Sequence, residues 1–242
     1  MKLYDSIIQK TLETLPDDPA RFPYDTSRIW KDRGESELIM LRDAAFELGG
    51  SSLPSVNYTC VTTSGLIEEN ETWVFGPDLP DLKSDSAFAK IVLLETEDLG
   101  ETEDEEKAYD AIRNLEFVRY HVFPAGYMVR VSSESNREQV RVSKKVMQAG
   151  IRFAYVGNTY IRRYKAIPCV KKVRVIFITD EKLVEALLPN AGKVDAITKT
   201  LTHILDGLPT DCGHCSLKPV CDEVEGMREL HMGKKNKNQE EK

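Results

Sequence analysis

Cys212, Cys215 and Cys221 stand within ten residues of one another in a C-x2-C-x5-C order. Thiolates are soft ligands, a C-x2-C turn lets two sulfurs reach one metal centre, and the return through Pro219 brings the third within range. The sequence has five cysteines, an odd number that a disulfide framework does not use fully. The expected chemistry is therefore metal binding. A [4Fe–4S] cluster and a structural zinc each take four ligands, so one is missing from the motif; the candidates are Cys60, Cys169, His214, His231 or an exogenous molecule. Iron–sulfur is the favoured reading, because the second local ligand pair of the usual zinc knuckles is not visible; zinc is the alternative. Asp222 to His231 has a helical pattern, with Val224 and Met227 on one face. A helix starting there would point its N-terminal dipole at a negatively charged cluster.

Charge supplies the second candidate feature. The formal net charge is -7, yet residues 130–174 hold twelve Lys or Arg against two Asp or Glu, while residues 1–129 hold 26 acidic against 12 basic residues. A basic segment of that density attracts phosphates, an acidic protein surface or nucleic acid, or faces the acidic half of its own chain. Phe153, Tyr155, Tyr160 and Tyr164 interleave with Arg152, Arg162 and Arg163. That mixture could stack bases, but the same spacing gives one core face and one solvent face of a strand or helix, and overall acidity argues against a dedicated nucleic-acid binder. The four histidines, Ser64 and the Ser143-Lys144 pair show no spacing that builds a nucleophile with its base. The acidic run Glu95 to Glu106 reads as a solvated loop whose carboxylates keep ordinary pKa values.

These residues need elements to hold them. Leu3, Ile7, Ile8, Leu12 and Leu15 predict an amphipathic opening helix, and a second helix is expected over Glu35–Leu48, stopped by Gly49-Gly50. Strands are predicted at Tyr58–Thr63, Thr72–Phe75, Phe88–Leu94, Tyr127–Val131, Gln139–Val142 and Val173–Ile178. Further helices are expected from about Glu105 to Tyr120, over Lys144–Ala149, after an Asp180 N-cap, and over Asp195–Leu205. The fold class is α/β (α+β): a mixed β-sheet flanked by helices, followed by a short C-terminal cysteine-ligand loop and helix. Hydrophobic content of 41% suits a globular chain, no apolar run reaches the roughly 20 residues of a membrane span, and Met1-Lys2-Leu3-Tyr4-Asp5 lacks the pattern of a signal peptide. A cytoplasmic location without a membrane partner is expected.

Several short segments in a fixed order are familiar. They are Gly65-Leu66-Ile67-Glu68-Glu69-Asn70, Val74-Phe75-Gly76-Pro77-Asp78, Arg141-Val142-Ser143-Lys144, Tyr155-Val156-Gly157 and Lys172 to Glu181. Over residues 56–221 the chain resembles the acetyl-CoA synthase (acetyl-CoA decarbonylase/synthase β) subunit family of the CO dehydrogenase/acetyl-CoA synthase complex. Cys212 and Cys215 fall where that family begins its cluster-binding cysteines. The resemblance implies the family's middle α/β domain, with coenzyme A access and contacts to CO dehydrogenase/acetyl-CoA synthase or corrinoid iron–sulfur components. Arg130, Arg137, Arg141, Arg152, Arg162, Arg163 and Lys165 would then meet coenzyme A phosphates or an acidic partner. The family's later cysteines, including a Cys-Gly-Cys that holds nickel-site metal, have no counterpart here, so complete acetyl-CoA synthase activity is not expected of this chain alone. The expected organisation is an N-terminal helical segment (1–50), an acetyl-CoA-synthase-like α/β domain (51–208), a cysteine-rich metal-binding segment (209–232) and a disordered tail (233–242). The expected role is an iron–sulfur accessory, electron-transfer or assembly component of one-carbon metabolism. Two alternatives stay open: a zinc-stabilised module docking an acidic partner or nucleic acid through residues 130–174, and a coenzyme A-binding acyltransferase component.

Overall fold

The computed structural model describes residues 3–35, 37–50, 52–98, 111, 114–115, 117–131, 138–205 and 215–224. Helix α1 (Asp5–Thr14) leads into β1 (Ala20–Pro23), β2 (Ala45–Leu48), β3 (Ser55–Thr62), β4 (Glu71–Phe75) and β5 (Phe88–Thr96). Helical backbone at 111, 114–115 and 117–120 marks α2. Then come β6 (Tyr127–Val131), β7 (Glu138–Ser143), α3 (Lys144–Gln148), α4 (Phe153–Lys165), β8 (Val170–Ile178), α5 (Glu181–Leu205) and α6 (Lys218–Glu223).

Two sheets result. The larger runs β1-β4-β8-β5-β3, with β4/β8 and β3/β5 parallel and β1/β4 and β5/β8 antiparallel. The smaller, β2-β7-β6, is antiparallel throughout. Every residue of β5 is buried, which explains why its sequence reads as a nearly unbroken apolar run rather than an alternation. Its Phe88, Val92 and Leu94 enter a core shared with α4 and the small sheet, while Ala89, Ile91 and Leu93 enter a second core under α1 and α5. Residues 1–50 are woven into both layers, since α1 joins the second core, β1 pairs with β4 and β2 pairs with β7.

α4 lies against β4 at a place where only glycine fits. A Cβ on Gly157 would sit 2.1 Å from Thr72 Oγ1. Phe153, Val156, Tyr160 and Tyr164 form its core face, so the aromatic and basic interleaving between 152 and 165 is the two-faced pattern of a helix. Its last turn carries Arg162, Arg163 and Lys165, the favourable sign for that end of the helix dipole.

Four expectations need correction. Among the described residues of Glu35–Leu48 no α-helix forms: residues 37–41 carry no regular structure, Arg42–Ala44 make a 3-10 turn, and Ala45–Leu48 form β2. Long-range partners take over there, because Arg141 of β7 donates to the Ile39 carbonyl and pairs with Glu47, and Gly126 N–H donates to Glu37. Leu38, Met40 and Leu41 in this segment are 75%, 78% and 74% exposed, so no apolar helix face is buried there. Secondly, Glu95 and Thr96 belong to β5 and are buried, so the expected solvated loop does not include them. Thirdly, the separate helices after Asp180 and over Asp195–Leu205 are one helix, α5, running through Pro189. Val184, Leu187, Ala191, Val194 and Ile197 keep a continuous buried stripe across that proline, and Asp180 Oδ1 accepts from Leu183 N–H at 3.0 Å as an N-terminal cap. Lastly, a helix spans Lys218–Glu223 and ends at Val224, so Cys221 lies inside it and not ahead of its N-terminus; residues 225–231 of the helical pattern expected from Asp222 lie outside the described residues.

Candidate metal centre

The C-terminal cysteines sit on a small unit built on α5. Pro219 occupies the start of α6, where its missing N–H costs nothing, and Lys218 N–H closes the preceding turn on the Cys215 carbonyl at 3.1 Å. Cys221 N–H then donates to Leu217 O at 3.3 Å, and Val224 N–H to Val220 O at 3.0 Å. Val220, Cys221 and Val224 pack against the core under α5 and so fix the orientation of the unit. Cys215 and Cys221 are both half-buried and free of disulfide bonding. Thiols in that setting are held by the fold yet remain reachable, as ligands of a surface-proximal centre must be. Cys212, His214 and His231 lie outside the described residues, and among the described residues no group of three His, Cys, Asp or Glu side chains converges on a point. Half-buried thiols are of the donor type that holds soft metals, so the two described cysteines are chemically suited to such a role.

The other two cysteines are differently placed. Cys60 is fully buried in the core under α1 and α5, and desolvation holds its thiol well above the ordinary range. Cys169 is buried in the opposite core, beyond the large sheet, and burial raises its thiol as well. Each environment favours a neutral small hydrophobe over a thiolate.

The basic residues do not converge on one spot. Arg130 is exposed on β6, and Arg137 lies outside the described residues. Arg141 is engaged by Glu47 and the Ile39 carbonyl, tying the segment before β2 onto the small sheet. Arg152 lies at the N-terminal side of α4, 3.5 Å from Asp78 Oδ2. Asp78 Oδ1 accepts from Phe153 N–H at 2.8 Å, and burial raises the pKa of this carboxyl. Arg163 reaches Asp32 Oδ2 at 2.9 Å. Burial opposes ionisation of Asp32, but hydrogen bonds from Gly34, Arg163 and Phe123 outweigh it and hold the pKa below the ordinary aspartate range. Arg162 is exposed, and Lys165 lies 5.8 Å from the centre of the Tyr24 ring.

One group escaped the sequence reading. Lys90 and Glu138 form an ion pair of 2.6 Å with both side chains 0% exposed, and Lys90 donates to Tyr160 OH at 3.0 Å. The available signal was a single lysine inside the apolar run of β5, which needs a buried counter-charge. Nothing in the sequence indicated that Glu138 supplies it from another sheet.

Comparison with known proteins agrees with the likeness seen in the sequence motifs. The family model described as CO dehydrogenase/acetyl-CoA synthase complex beta subunit matches residues 31–184, a stretch that contains both sheets apart from β1, and ends in the first turn of α5. The acetyl-CoA decarbonylase/synthase complex subunit beta of Archaeoglobus fulgidus is 28% identical over 175 residues, which cover 71% of this chain and 31% of that protein. The chain thus spans less than a third of the length of this curated relative. The cysteine unit lies beyond the family match. No helix among the described residues is long and apolar enough to cross a membrane.

Proposed function

Because the chain belongs to the CO dehydrogenase/acetyl-CoA synthase complex beta subunit family, we propose that it is an iron–sulfur component of that system, acting in electron transfer or assembly. The observation that carries the reading is the α6 unit, with two half-buried, unbridged cysteines anchored on α5. Cys212, Cys215 and Cys221 would hold a [4Fe–4S] cluster, with a fourth ligand from His214, His231 or an exogenous molecule. When bound, such a cluster supplies one-electron exchange. The chain's own part is to hold Cys215 in the turn before α6 and Cys221 within α6, and to leave both half-buried, where a redox partner can approach.

Docking is the second part of the proposal. Leu38, Met40 and Leu41 form an exposed apolar group on the segment tied down by Arg141, within the family match. Exposed large apolar side chains grouped this closely mark contact surfaces. The exposed basic residues Arg130, Arg162 and Lys165 would meet an acidic face of the CO dehydrogenase/acetyl-CoA synthase complex or of a corrinoid iron–sulfur protein. The test is CO-dependent reduction. The chain is prepared with its cluster under anaerobic conditions and mixed with catalytic CO dehydrogenase and CO. The expected result is bleaching of a broad absorbance near about 400 nm, typical of thiolate–iron charge transfer. A spectrum unchanged by CO, while dithionite bleaches it, would argue against electron transfer and leave assembly.

A further inference from the structure

The interface between the two sheets is unusually polar for a core. Asn57 of β3 and Lys90 of β5 are register partners whose side chains share the face toward the small sheet. Opposite them stand Glu138 of β7 and Tyr127 of β6, with Tyr160 and Tyr164 of α4 and Arg119 of α2 around the edge. All seven are at most 7% exposed. Lys90 is fully engaged by Glu138 Oε2 and Tyr160 OH, and lies 4.5 Å from the Tyr160 ring centre. Arg119 donates to the Asn57 carbonyl at 3.2 Å, but part of the seam is not satisfied. Both amide atoms of Asn57, the Tyr127 hydroxyl and Glu138 Oε1 have no hydrogen-bond partner among the described residues. Burying unpaired polar atoms is unfavourable, and that penalty is relieved when water reaches them.

Two of the passages between the small sheet and the rest of the chain are glycines with positive φ: Gly49 directly follows β2 with φ +66°, and Gly126 directly precedes β6 with φ +72°. We infer that the small sheet, β2-β7-β6, opens from the large sheet as a separate unit, with Lys90–Glu138 as the latch and the polar seam as the surface that becomes wet. The Ser55 hydroxyl, which donates to the Glu138 carbonyl, is a second tie at the same end. Opening presents the Lys90 amine and the hydroxyls of Tyr127 and Tyr160 to solvent. The low-stability unit is then the part of the family-matched region that carries the exposed Leu38, Met40 and Leu41.

Hydrogen exchange on the full chain, followed amide by amide with increasing denaturant, tests this. In the wild type, β6 and β7 amides are expected to exchange at least about tenfold faster than those of β5 and β8, with a weaker denaturant dependence. Val184→Ala, which opens space in the core under α5, destabilises closed and opened forms alike. It is therefore expected to speed β5 and β8 while leaving β6 and β7 unchanged. Glu138→Gln strikes the latch, and is expected to speed β6 and β7 by about tenfold or more. If Val184→Ala speeds all four strands by one factor, or the wild-type strands share one rate and one denaturant slope, the sheets open together and the inference is overturned. The wild-type and Val184→Ala measurements decide the matter even if Glu138→Gln does not fold.

Discussion

Glu138→Ala is expected to lower the free energy of unfolding by about 3–5 kcal/mol, the usual cost of removing one member of a buried ion pair. Lys90 is 0% exposed and cannot move its ammonium to water without disturbing β5, the strand between β8 and β3. Without the carboxylate it keeps only Tyr160, whose ring and hydroxyl offset a small part of the charge burial. The backbone tie from Ser55 to the Glu138 carbonyl survives the substitution, so the loss reports the carboxylate itself. The double variant Lys90→Met/Glu138→Leu is expected to recover most of the loss, because paired apolar replacements avoid desolvating charge. Exposed pairs behave differently: Asp25–Arg28, 40% and 69% exposed, should contribute little to stability. Urea denaturation of the variants measures all three, and a Glu138→Ala loss under about 1 kcal/mol would mean that Lys90 finds water in the folded protein.

Phe177→Ala should cost a similar amount, about 3–5 kcal/mol, by a different mechanism. Phe177 of β8 is fully buried, with its ring centre 4.7 Å from that of Phe153 on α4 and 6.3 Å from that of Phe88 on β5. Truncation leaves a cavity where the large sheet meets α4, and close packing gives its neighbours little freedom to close it. For a chain of 242 residues, the expected fall in Tm is about 6–20 °C. Phe177→Leu, which refills most of the volume, should lose less than half as much. Thermal unfolding followed by circular dichroism distinguishes these expectations.

Most strands were readable because both faces of the large sheet are covered. Runs such as Phe88–Leu94 and Val173–Ile178 carry their burial in composition alone, and the mixed-sheet fold class followed from them. What could not be read depended on distant partners. The segment Glu35–Leu48 reads as a helix, yet Arg141 and Gly126 claim it as a strap and edge strand. The helices expected after Asp180 and over Asp195–Leu205 are one, because the buried stripe from Val184 to Ile197 holds α5 together through Pro189. Of the readings open for the basic run from 130 to 174, the one in which it faces the acidic half of its own chain holds for Arg141, Arg152 and Arg163, each bound by a carboxylate from that half. The cysteine spacing was plain from the sequence. The anchoring of Cys221 within a helix against the α5 core was not, because it depends on the continuity of α5 and on the side chains of Val220 and Val224.

The iron and acid-labile sulfide content of protein purified without oxygen tests the central claim most directly, with Cys221→Ser prepared in parallel. The account predicts a brown wild-type protein holding about four irons and about four sulfides per chain. It also predicts a Cys221→Ser protein that folds but has lost most of both. A colourless wild-type protein carrying one zinc, or a Cys221→Ser protein with unchanged iron, would contradict it.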